Sequence, residues 1–150
     1  MTGYDWLRAY TALSRSGLVS DEIRECEAAW GNSFFGDVSA IERIRKAPDY
    51  PAYIAALRGL LTFPLTVYRV TTATAYEEWK AGSFNRPIAT TLDLHLATLV
   101  KELFPEEGPV VLLQGNVSNP EAVVTRGRIE GCEIVIDSGW VTPVEATVLA

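Results

Sequence analysis

With 150 residues, 48% hydrophobic content and a net charge of −6 at a pI of about 4.8, the chain can bury a core as one domain. The same charge offers no general attraction to phosphate backbones or anionic lipid, which disfavours nucleic acid as the main partner. One histidine, His95, and two distant cysteines, Cys26 and Cys132, exclude a structural zinc site of ordinary ligand spacing.

The elements divide into two textures. Residues 1–63 read as four short helices. "YDWLRAYTAL" puts Trp6, Leu7, Tyr10 and Leu13 on one face. In "SDEIRECEAAW", Ser20 caps a helix whose early acids, Asp21 and Glu22, suit its positive end, and Gly31 stops it. "SAIE" fits a capping box from Ser39 to Glu42, and Pro51 suits the first turn of a helix through "AYIAALRGLL".

From residue 64 to 150 the chain turns to β-branched runs, "LTVYRV", "RPIATT", "PVVLLQGNV", "CEIVIDS" and "VEATVL", broken by turn residues and by two helical inserts, "TAYEEWK" and "LDLHLATLVKELF". The pattern predicts one α+β domain, N-terminal helices packed on a mostly antiparallel sheet. "SNPEAVVTRGR" reads as a loop, Cys132 as a core residue, His95 as half-buried, and Trp79 and Phe84 as packing aromatics. No apolar run is long enough to cross a bilayer, and the opening "MTGYDWLRAY" lacks a signal-peptide layout. The expectation is a soluble, cytoplasmic chain without a membrane partner.

Three features stand out in the β-rich part: Arg69 near the end of a strand, a Thr pair closing "PIATT" before a helix, and Glu133 opening "EIVID". Taken singly, each has an ordinary structural use as a surface cation, a helix cap or a solvated acid. In this order and spacing they resemble the Arg, Ser-Thr-Ser, Glu triad of the mono-ADP-ribosyltransferases, over about residues 65–150.

Tyr68 and Arg69 match that family's aromatic-Arg pair, and "AYEEWKAGSF" its helical insert and glycine. "RPIATTLDLHLATLV" has the shape of the strand entering Ser-Thr-Ser and a helix, "GPVVLLQGNV" follows as a strand, and "EGCEIVIDSG" fits the acidic motif. The N-terminal helices resemble those that precede the triad in the toxin branch. The resemblance implies a split antiparallel sheet and transfer of ADP-ribose from NAD to a macromolecular acceptor. That acceptor is a protein in the first place and a nucleic acid in the second, with no metal. A small bacterial or phage effector or inhibitor is the biological role it suggests.

Residue by residue, the resemblance makes Glu133 and Thr90 catalytic, with the Thr hydroxyls orienting Glu133 and the nicotinamide ribose. It gives NAD to Arg69, Tyr68, Thr90, Thr91 and Phe104, and acceptor recognition to Glu130, Gly131, Arg126 and Arg128. The chemistry needs these types: a carboxylate answers the positive charge that develops on the ribosyl carbon, and a guanidinium fork pairs with phosphate. Two positions depart from the family. Ala89 stands where the first serine belongs, and Gly131 stands two residues before Glu133, where Glu or Gln helps to select the acceptor. Hydrolysis of NAD to water, or a scaffold that has lost catalysis and blocks a partner by contact, are the alternatives these leave open.

Overall fold

The computed structural model describes residues 3–31, 38–81, 87–99, 110–128 and 132–149. Four helices come first, α1 (Gly3–Arg15), α2 (Asp21–Gly31), α3 (Val38–Lys46) and α4 (Tyr50–Gly59). In α1 the buried stripe is Trp6, Tyr10 and Leu13, at i, i+4, i+7 spacing. Leu7, expected on that face, lies beyond its edge and is 44% exposed. The Ser20 hydroxyl caps α2 as expected, accepting the Ile23 N–H at 3.3 Å. Ser39 lies inside α3 and not before it, so the anticipated capping box is not centred there. Pro51 occupies the first turn of α4, where its missing N–H costs no helix bond.

A cis Phe63–Pro64 peptide leads into β1 (Leu65–Thr72). The chain continues through α5 (Ala73–Lys80), β2 (Pro87–Thr91), α6 (Leu94–Leu99), β3 (Val110–Val117), β4 (Val123–Arg126), β5 (Glu133–Asp137) and β6 (Thr142–Leu149). The fold is α+β, with one six-stranded sheet in the order β4, β5, β2, β1, β3, β6 and every neighbouring pair antiparallel. β4 was expected as loop. Its four residues, Val-Val-Thr-Arg, are too short a run to stand out between the turn-forming stretches on either side.

Helices pack on both faces of the sheet: the main core lies on one, and on the other Trp30 of α2 and Ile41 of α3 meet Val135, which alternates with Ile134 and Ile136 along β5. Trp6, Ile23, Tyr53 and Leu57 meet Leu65, Val67, Ile88, Ile134 and Ile136 in the main core. Each such fully buried apolar side chain is worth roughly 1.5–3 kcal/mol. β1 shows both faces of the sheet in one strand: Leu65 and Val67 enter the main core, while Val70 joins Ala97 of α6 and Val110 of β3 in a second cluster, against which Tyr68 packs. The sheet's two edges differ. Helix α4 seals β4, where the Tyr50 hydroxyl donates to Val124 O at 2.7 Å and Arg58 Nη2 to Val123 O at 2.9 Å. On β6, residues 142–148 are exposed. Among the described residues no helix is long and apolar enough to cross a membrane.

Candidate functional site at the β1–β2 seam

The sheet's continuity is weakest at its middle. β1 pairs with β3 along all eight of its residues, from Leu65↔Val117 to Thr72↔Val110, and β2 pairs with β5 along all five, from Pro87↔Asp137 to Thr91↔Glu133. Between β1 and β2 one register pair, Tyr68↔Thr91, holds the two halves together. Tyr68, Thr91 and Glu133 therefore stand in one row across three strands. Residues directly opposite one another project from the same face of an antiparallel sheet, so the row faces one side.

Past that pair the strands part, and Arg69 spans the gap: its Nη1 donates to the Ala89 carbonyl at 2.7 Å. This is the local reason for an arginine near the end of an otherwise apolar strand. The guanidinium supplies a donor where the ladder between β1 and β2 has ended. Ala89, which lacks the hydroxyl expected at its position, thus takes part through its backbone.

The two threonines do different work. The Thr90 hydroxyl donates to Ile134 O at 3.2 Å, and the residue is only 3% exposed. Thr91 Oγ1 accepts the Asp93 N–H at 3.2 Å, and Asp93 in turn caps α6 by accepting the His95 and Leu96 N–H groups on Oδ1 at 2.9 and 3.3 Å. The threonine opposite Glu133 is thus Thr91. His95, expected half-buried, is exposed.

Glu133 is half-buried, and its peptide is gripped from both sides. Its N–H donates to Arg128 O at 3.1 Å, and its carbonyl accepts the Gly127 N–H at 2.9 Å. A Cβ on Gly127 would stand 2.5 Å from the Glu133 Cβ, so only glycine allows this approach. The preceding residue, Cys132, has φ +50°, an uncommon conformation for a non-glycine residue, and its carbonyl accepts the Leu92 N–H at 3.1 Å. Cys132 is buried in the main core, as expected, and burial pushes its thiol pKa up.

Arg126 is not where the sequence reading put it. Far from lying on an acceptor loop, it ends β4 with its guanidinium 4.7 Å from the centre of the Tyr10 ring and its Nε 3.6 Å from Glu27 Oε2. Glu27, 2% exposed, accepts from the Tyr10 hydroxyl at 2.7–2.8 Å and from the Tyr53 hydroxyl at 2.7 Å. Burial first, then the Glu27 charge, raises the pKa of both phenols.

The Glu27 cluster was missed in the sequence, although a signal was present: Glu27 falls on the apolar stripe Ile23, Cys26, Trp30 of α2, where a charge needs a partner. Arg128 is half-buried beside Glu133, and Trp79 donates its Nε1–H to Ser138 O at 3.0 Å. Phe84, Phe104, Glu130 and Gly131 lie outside the described residues. Among the described residues no group of three or more His, Cys, Asp or Glu side chains is placed to hold a metal ion. In comparisons with known proteins, no protein-family model, no curated protein and no solved structure matches the chain.

Proposed function

We propose that this chain is an NAD-dependent mono-ADP-ribosyltransferase whose sheet is of the split ADP-ribosyltransferase type and whose acceptor is a macromolecule, a protein in the first place. The single observation that carries this reading is the row Tyr68, Thr91, Glu133 at the seam, with Arg69 bridging the same gap to Ala89. An aromatic, a hydroxyl and a carboxylate, taken from three strands far apart in sequence, share one face where the sheet opens, and the neighbouring guanidinium, which starts from the other face, reaches the backbone of the same gap.

In the proposed reaction the bond between nicotinamide and ribose breaks, and the ribosyl carbon passes through an oxocarbenium-like state. The Glu133 carboxylate stabilises that positive charge, which is greatest in the transition state, so its contribution falls on turnover more than on binding. Arg69 pairs with the NAD phosphates; its anchor on Ala89 O reduces the rotamer freedom the long side chain would lose on binding. Thr91, opposite Glu133, orients the carboxylate or the ribose. The nucleophile that completes the step is a side chain of the acceptor, or water where hydrolysis competes.

The test is incubation of purified protein with labelled NAD and a bacterial lysate, following nicotinamide release alongside, with Glu133→Gln and Arg69→Ala as variants. A discrete labelled macromolecule that disappears with Glu133→Gln is the expected result, with turnover down by about 10²-fold or more, the range typical of losing one charge-stabilising group. Arg69→Ala should mainly weaken NAD affinity. Nicotinamide release without label would identify an NAD glycohydrolase, and full turnover by Glu133→Gln would overturn the role given to this carboxylate.

A further inference from the structure

We infer that Glu27 is a positioning residue for Glu133, acting from the helical layer through the end of β4; the inference rests on the function proposed above. Its basis is an unbroken chain of contacts from a buried carboxylate to the peptide of the proposed catalytic residue.

Tyr53 is the central link. Its single O–H donates to Glu27 Oε2 at 2.7 Å, which leaves its oxygen to accept twice, and both acceptances come from the last two residues of β4. The Thr125 hydroxyl lies 3.0 Å away and the Arg126 backbone N–H 3.3 Å away. Arg126 also returns to the same carboxylate, its Nε 3.6 Å from Glu27 Oε2, a charge contact beyond hydrogen-bond reach. Helices α1, α2 and α4, through Tyr10, Glu27 and Tyr53, thus hold the end of β4. The next two residues, Gly127 and Arg128, make the two backbone bonds that hold Glu133.

The strand pairing alone fixes this end poorly. The β4–β5 register slips between Val123 and Thr125, and such an irregularity bends a strand and changes where it aims its neighbours. An outside anchor beyond the slip restores one definite position. A buried ion pair is also a weak source of stability compared with apolar packing, so a geometric task is the better account of a carboxylate 2% exposed in an apolar stripe.

Three variants test it, read by kcat and KM for nicotinamide release and by hydrogen exchange at the Gly127 and Glu133 amides. Tyr53→Phe keeps the ring and removes the link, and Glu27→Gln keeps the shape and removes the charge. Ile44→Val, in the same core but carrying no polar atom of the junction, controls for simple loss of stability. The first two should lower kcat by about tenfold or more, within the range that small misplacements cause, with KM for NAD changed less than about twofold. Exchange at both amides should quicken, and Ile44→Val should leave all three readouts in place.

Unchanged kcat and exchange in Tyr53→Phe, or losses in all three variants that simply follow their melting temperatures, would overturn the inference. If the wild type releases no nicotinamide, the proposed function fails while the amides still decide the anchoring. Faster exchange in the first two variants alone would support it, and unaltered exchange would refute it.

Discussion

Glu133 sits where the backbone leaves no slack. Gly127 presses against it so closely that a methyl group would meet its Cβ at 2.5 Å, and the clashing atom is fixed to the main chain and cannot swing aside. Gly127→Ala should therefore push β4 and β5 apart locally at a cost of about 1–3 kcal/mol, the usual range for overpacking, and displace Glu133 with them. Thermal unfolding measures the cost. A melting temperature equal to the wild type would mean that the turn absorbs the methyl group. At the seam, Arg69 reaches a carbonyl of the parted strand.

At the scale of elements, the short helices rely on their first turns. The first turn of α6, which starts at Leu94, is capped by Asp93. The Asp93 carboxylate satisfies two N–H groups while its own N–H binds Thr91 in the proposed site. Asp93→Ala should cost about 0.5–2 kcal/mol and loosen the turn that carries Thr91. Equilibrium denaturation checks this, and no loss would show that Ala97, packed with Val70 and Val110, holds the helix without its cap. β4 depends on another element in a similar way: it is four residues long, and α4 supplies Tyr50, Tyr53 and Arg58 to backbone groups of this edge. That dependence is why the strand is hard to see in the sequence. The signal for it lies in a helix some 70 residues earlier.

At the scale of the whole molecule, five phenols and thiols among the described residues shift in one direction. Burial is the largest cause for Tyr10, Tyr50, Tyr53, Cys26 and Cys132, and each has its pKa raised. In the unfolded chain the thiols lose their protons near about pH 8.5 and the phenols near about pH 10. In the folded chain they retain them to higher pH. Their contribution is therefore complete below the unfolded values and falls as pH rises, by up to about 1.4 kcal/mol per pH unit for each group that titrates only when unfolded. Melting temperature should decline from about pH 9 upward, and Tyr53→Phe should make the decline shallower. An identical slope in that variant would show that Tyr53 does not carry the linkage.

The sequence by itself determined the element types and their order apart from β4, because helical stripes, caps and β-branched runs are local signals. Trp6, Tyr10 and Leu13 announce α1, Ser20 starts α2, and Cys132 reads as core before any contact is known. It also singled out Tyr68, Arg69, the Thr pair and Glu133 by their order along the chain. Only the tertiary structure decided which threonine faces Glu133, since a shift of one residue in register exchanges the faces of a strand and nothing in "ATT" states the register. It likewise turned Arg126 inward, because the carboxylate and aromatic ring that receive it come from α2 and α1, about 100 residues away in the chain and adjacent only once the helices have packed on the sheet.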